Sequence, residues 1–130
     1  MSGRPVHVLL DASAIIAFTR RSIDVGEVIG EVDAEQAAVG LPVLCLVEAN
    51  RAITDTDLLD YLVAHPATAV TPVAPDSWRA LAAAYDTVGR LDAASAVLAA
   101  IDGDRPILTA QPALYAGLEG GGPIIAIPPA

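Results

Sequence analysis

The chain has no lysine. Seven arginines are its only fixed cations, set against sixteen acids for a formal net charge of −9. That balance excludes a general nucleic-acid coat, because no broad basic surface can release counterions from phosphate. RNA binding is left only as a local event, where a few arginines converge or a bound cation offsets the acids. Cysteine is almost as scarce: Cys45 stands alone, so no intrachain disulfide forms and a cysteine-based zinc site is not credible. Embedded in LPVLCLVEA, it reads as a buried core thiol. The two histidines, His7 and His65, are far apart without ligand-like spacing and read as structural. Aromatic residues make up 4% of a chain that is 54% hydrophobic, so its core must be aliphatic. No charge-free run of about eighteen apolar residues exists to span a membrane. The apolar run after Arg4 is broken at Asp11 and does not resemble a signal peptide, which makes a cytoplasmic protein the default expectation. A length of 130 residues predicts one domain, 1–130, large enough for a core without metal or disulfide staples.

What is there is organised around VHVLLDASAIIAF, residues 6–18. A short apolar run ends on Asp11 and gives way to Ala-Ser-Ala and a second apolar segment, the pattern of a buried strand, a carboxylate at its carboxyl end, and a helix. Ligands of open parallel sheets sit outside the carboxyl ends of the strands, so Asp11 is a site candidate. It is equally a natural helix N-cap.

The pattern continues through the chain. Strands are expected over 6–10, 37–41, 68–73, 106–109 and 124–127, and helices over 12–20, from Ser22 onward, 43–53, after Asp55-Thr56-Asp57, from Pro75-Asp76-Ser77 to near Gly89, 91–101 and 112–118. Gly120-Gly121-Gly122 reads as a loop before the last strand. Helices alternating with continuous apolar strands predict an α/β domain with a central, mostly parallel sheet of about four to five strands, covered on both faces.

Two further acids fall in comparable places. Glu48 lies in the apolar setting VLCLVEANRAI, where a carboxylate is expensive unless paired or coordinated; Arg51, three residues on, is the simple pairing. Asp92, in GRLDAASAVLAAI, lies where a helix begins and has its own capping alternative. Asp86, Asp102 and Asp104 read as surface or turn acids. Gln111, in ILTAQP, follows a strand as Asp11 follows the first; glutamine is a poor cap, and its carbonyl can coordinate a hard cation without adding charge. Three acids gathered at one sheet edge resist ionising together without a cation. With oxygen ligands only, the expected ion is Mg²⁺ or Mn²⁺, and its natural chemistry is hydrolysis of phosphodiesters.

VLLDASAIIAF, LVEANR and LDAASAVLAAIDGDRPILTAQP, in that order and spacing, resemble the acidic motifs of PIN domains, most closely the short bacterial VapC-type toxins of toxin–antitoxin systems. The resemblance covers essentially the whole chain. It implies a PIN-like three-layer α/β/α domain and an endoribonuclease dependent on Mg²⁺ or Mn²⁺, with Asp11, Glu48 and Asp92 matching the family's first three acids. Ser13 matches a small hydroxyl residue that helps position a ligand or water. A homodimer and a cognate VapB-like antitoxin, whose C-terminal segment enters the active-site groove, are further implications. The departure is Gln111, at a position usually held by Asp; three carboxylates instead of four predict one well-bound metal, with a second weak or absent. Arg20, Arg21, Arg51 and Arg90, near the motifs in sequence, are the candidate phosphate contacts.

Two rival readings stand beside the nuclease. One is a PIN-like domain that has lost cleavage and serves as an RNA-binding or protein-interaction module, motivated by Gln111 and the −9 charge. Gln111→Asp separates the two, since a weakened nuclease gains activity or a second metal and a binding module does not. The other, a small-molecule phosphohydrolase, needs a glycine-rich loop after a strand, and Gly120 to Gly122 precede one. The apolar stripes of 58–63 and 78–85 are expected to pack into the core rather than form a dimer face.

Overall fold

A computed structural model describes residues 3–129. The first strand, β1 (Val6–Leu10), buries Val8, Leu9 and Leu10 and is followed by α1 (Ala12–Thr19) and α2 (Ile23–Ala34). Then come β2 (Ala38–Pro42), α3 (Val43–Ala52), α4 (Thr56–Ala64) and β3 (Thr68–Thr71). A single 3-10 turn, Pro75–Ser77, leads into α5 (Trp78–Val88), and Gly89 in the left-handed conformation closes it before α6 (Leu91–Gly103). The chain ends through β4 (Ile107–Thr109), two 3-10 turns at Pro112–Tyr115 and Glu119–Gly121, and β5 (Ile124–Ala126).

The five strands form one sheet in the order β3-β2-β1-β4-β5, and every neighbouring pair is parallel. Helices flank it in a three-layer α/β/α arrangement. Right-handed crossovers assign α1 to α4 to one face and α5 and α6 to the other. In keeping with this, α2 packs on β2, α4 on β3, and α6 on β1, β2 and β4. Helix α3 touches both α1 and α6, so it bridges the two layers. The central strands are covered on both faces, which is why β2 and β4 are buried throughout and read as unbroken apolar runs.

Helix starts follow local capping chemistry. Ser22 and Asp55 accept hydrogen bonds from the amides of Val25 (3.3 Å) and Leu58 (3.1 Å), satisfying donors that the first turn leaves free. Boundaries differ from expectation by more than one residue in three places. β3 stops at Thr71, because Pro72 has no N–H to continue a ladder; α6 runs on to Gly103; and the segment after Pro112 forms a 3-10 turn that ends at Tyr115 instead of a helix over 112–118.

The stripe of α4 turns inward through Leu59 and Leu62, while Leu58 is half-buried and Val63, contrary to expectation, is exposed. On α5 the core expectation is corrected: Trp78 is 58% exposed and Tyr85 46%, while Leu81 and Ala84 pack only partly against the core. Val88 is the buried residue of α5, and Trp78 and Tyr85 stand exposed with Ala80, Ala82 and Ala83 at its outer side. Among the described residues, no helix is long and apolar enough to cross a membrane.

Candidate functional site

The chain runs from β1 outward to β2 and β3, then returns to the other side of β1 as β4 and continues to β5. The connections leaving β1 and β4 therefore diverge, and the crevice of an open α/β sheet lies at such a reversal, outside the carboxyl ends of the strands. Asp11 follows the last residue of β1 at this point.

Asp11 is 2% exposed, and hydrogen bonds account for its burial. Oδ1 accepts from the Ser13 hydroxyl at 2.6 Å and from the Ala14 amide at 3.0 Å, so the carboxylate is indeed the N-cap of α1. Oδ2 accepts from the Tyr115 hydroxyl at 2.7 Å. Burial, and then the charge of Asp11 and its hydrogen bond, push the Tyr115 phenol well above its ordinary pKa, so the residue remains a donor. Ser13 in turn accepts from the Ala110 amide at 2.9 Å and lies 3.3 Å from the Thr109 hydroxyl. Capping and site membership are thus not alternatives at Asp11. One oxygen caps the helix while the other faces a buried phenol from the far end of the chain.

Glu48 lies on α3 and Asp92 in the first turn of α6, where a carboxylate complements the helix dipole. Asp92 is not the cap of α6; Arg90 occupies that position without a side-chain capping bond. Instead Arg90 grips Asp92 side-on, Nε to Oδ1 at 3.1 Å and Nη2 to Oδ2 at 3.2 Å. Nη2 also lies 3.7 Å from Oε2 of Glu48. Glu48 takes the expected pairing with Arg51, 3.0 and 3.3 Å from its two oxygens. The hydrogen bonds that Arg90 donates to Asp92 raise its pKa, and the charges of Asp92, Glu48 and Asp11 add to that against an opposing effect of burial. The fields of all three acids meet on this one guanidinium.

Behind them, Cys45 donates from Sγ to the carbonyl of Asp92 at 3.3 Å, and Ser95 donates to the same oxygen at 2.6 Å. Burial, together with the charges of Asp11 and Asp92, drives the Cys45 pKa upward, so the thiol is a packed donor fastening α3 to α6. A groove of about 330 Å³ opens in front, with Leu44, Val47, Glu48, Tyr85, Arg90 and Asp92 among its walls.

At the fourth position Gln111 stands at the N-cap of the turn that Pro112 opens, as Asp11 does for α1, but it is not level with Asp11 in the sheet. Leu10 pairs with Leu108, and the Asp11 amide donates to the Leu108 carbonyl, so the residue of β4 in register with Asp11 is Thr109. Gln111 lies two residues further on, exposed, and its side chain does not cap the turn that follows. It lines a separate cavity of about 170 Å³ with Ser13, Ile16 and Arg20. Among the candidate phosphate contacts, Arg90 and Arg51 touch the acids and Arg20 borders this second cavity. Arg21 is exposed at the end of α1 with a left-handed backbone, φ 64°, and makes no hydrogen bond to the acids. His7 pairs with Glu35, and His65 accepts from the Ala67 amide, so neither belongs to the site.

Tyr115 and Thr109 are the residues that sequence reasoning missed. The available signal was indirect: a buried carboxylate at residue 11 demands donors, and few hydroxyls follow β4.

The donor set suits a hard divalent cation. A carboxylate has about four lone-pair positions; Asp11 commits three, leaving Oδ2 room for one more. Glu48 and Asp92 hold only guanidinium groups, and the nearest thiol is turned to a carbonyl. Among the described residues, no group of three histidine, cysteine or acidic side chains is already arranged to hold a metal ion.

No protein-family model matches the chain, and neither does any curated protein. Among solved structures, the crystal structure of PAE2754 from Pyrobaculum aerophilum superposes with a TM-score of 0.65 at 19% identity, covering 95% of this chain and 91% of that one. A likeness at that identity establishes the shared fold.

Proposed function

We propose that this protein is an endoribonuclease of the PIN-domain, VapC type, hydrolysing RNA phosphodiester bonds with a Mg²⁺ or Mn²⁺ ion held by Asp11, Glu48 and Asp92. The observation that carries the reading is that Asp92 of α6 and Glu48 of α3 meet on one guanidinium, Arg90, while Asp11 is buried just past β1 at the chain reversal. A divalent ion bound there supplies an activated water and offsets charge developing on the phosphate. The chain's own contributions follow from its contacts. Tyr115 and Ser13 fix the orientation of the Asp11 carboxylate. Cys45 and Ser95 fix the turn that presents Asp92. Arg51, 74% exposed beside Glu48, is free at its outer side to meet a phosphate of the substrate. Dimerisation and control by a VapB-like antitoxin belong to the same proposal, as does a cytoplasmic location.

The second reading is a PIN-like module that binds RNA or protein without cleaving. What favours it is the grip of Arg90 on both oxygens of Asp92, together with a neutral, exposed Gln111 outside the acid cluster.

Calorimetric titration with Mn²⁺ decides between them. Wild type is expected to bind, and Asp11→Asn to lose most of the affinity, after which RNA cleavage dependent on the same ion is the functional check. Absence of binding in both proteins at millimolar Mn²⁺ rejects the nuclease and leaves the binding module.

A further inference from the structure

The element that brings Arg90 to the acids is a two-residue junction. Gly89 closes α5 in the left-handed conformation, φ 79°, where a side chain would be strained. Arg90 is extended, φ −138° and ψ 134°, and its carbonyl accepts the first hydrogen bond of α6 from Ala94 at 2.9 Å. The backbone of Arg90 is therefore fixed. Its side chain is not fixed in the same way: it is 37% exposed, whereas the Asp92 side chain it covers is 9% exposed. Both hydrogen bonds that the guanidinium donates go to one carboxylate, Asp92, only two residues along the chain. No aromatic face clamps it; the cation–π contact in the described structure joins Arg79 to Trp78. Its hold is ionic and local, and rotation about its own side-chain bonds suffices to release it.

We infer that Arg90 is a built-in counterion of the acid cluster, alternating with a divalent cation for Asp92 and Glu48, so that metal binding requires the guanidinium to swing out of the groove. The inference rests on the metal-site reading above and assigns it a control that resides in the chain itself. Both oxygens of Asp92 accept from Arg90, so a cation cannot be coordinated by that residue through the same lone pairs while the grip persists. The near approach to Glu48 extends the competition to a second ligand. Asp11 is outside it, since its oxygens are engaged by Ser13, Ala14 and Tyr115. The pair is thereby partly neutralised in the absence of metal, which relieves the repulsion between the Asp92 and Glu48 carboxylates.

The test is Mn²⁺ titration of the intact protein by calorimetry, comparing wild type with Arg90→Gln and Arg90→Lys. Far-UV circular dichroism and denaturant unfolding on each variant confirm that it is folded. Arg90→Gln removes the competing charge and is expected to bind Mn²⁺ at least about tenfold more tightly, the worth of one charge-assisted hydrogen bond no longer broken. Arg90→Lys keeps the charge without the two-pronged grip and is expected between the two. If wild type binds Mn²⁺ and Arg90→Gln binds it equally or more weakly, the metal site stands and the competition is wrong. If neither binds at millimolar Mn²⁺, the metal reading itself is wrong and the competition goes with it. Tighter binding by Arg90→Gln that disappears when Asp92→Asn is added ties the gain to the gripped carboxylate.

Discussion

At the scale of the residue, the site turns on how a carboxyl group that is 2% exposed is accommodated inside an aliphatic core. An unpaired buried polar group is costly, and Asp11 avoids that cost with three short hydrogen bonds, one of them from a phenol 104 positions away in sequence. Tyr115→Phe keeps the ring and removes only the donor. A hydrogen bond to a charged group is worth about 1.5–3 kcal/mol, so denaturant unfolding at neutral pH should register a loss of that size. The substitution also has a pH signature. The folded-state pKa of Tyr115 is raised above its ordinary value of 10.0, so the fold holds that proton more tightly than the unfolded chain does. The stability linked to it is complete below the ordinary value and falls as pH rises above it. Wild type should lose stability over that alkaline range more steeply than Tyr115→Phe. Parallel curves for the two proteins would show that the phenol is not held by Asp11.

At the scale of the element, β1 and β2 are pressed together more tightly than their apolar sequences require. A side chain built at Gly40 would place its Cβ 2.6 Å from Cδ2 of Leu9, 3.0 Å from Val6 and 3.3 Å from Thr71. Leu9 is fully buried, so any shift of its side chain must be taken up inside the core. Gly40→Ala should therefore destabilise the fold by about 1–3 kcal/mol through overpacking, read as a lower midpoint in urea; an unchanged midpoint would mean that the strands separate easily. Gly40 in AVGLP looks like an ordinary small residue, and nothing in the sequence names the neighbours that crowd it. That marks the limit of legibility. Strands and helices were readable because their signals are local: continuous apolar runs for β1 and β2, Ser22 and Asp55 opening helices, Gly89 ending one. Asp11, Glu48 and Asp92 were readable because acids are conspicuous among apolar neighbours. Sheet order was not, and without it Gln111 was set level with Asp11 when register puts Thr109 there. Tyr115 and the grip of Arg90 were hidden for a related reason: each acts through a side-chain contact that follows no periodicity.

At the scale of the molecule, a formal charge of −9 on 130 residues makes the folded chain repel itself, and salt should relieve that by screening. A divalent cation adds something of a different kind if it binds a site that exists only in the folded state. Mass action then stabilises by about 2.7 kcal/mol when the ion is at a hundred times its dissociation constant, independent of how many surface acids are screened. The free energy of unfolding in MnCl₂ should therefore exceed that in NaCl of equal ionic strength by a margin that grows with the logarithm of Mn²⁺ concentration. Asp11→Asn is the control, and it must be judged by slope. The substitution weakens the cap of α1 and the bond from Tyr115, so it lowers stability in every buffer. Its response to NaCl should nonetheless follow wild type, because removing one of sixteen acids barely alters the overall field, while its extra response to Mn²⁺ should vanish. Equal stability of wild type in the two salts would show that the cation only screens. The three acids would then be a charged edge balanced by Arg90 and Arg51, and the groove in front of them a surface for binding without cleavage.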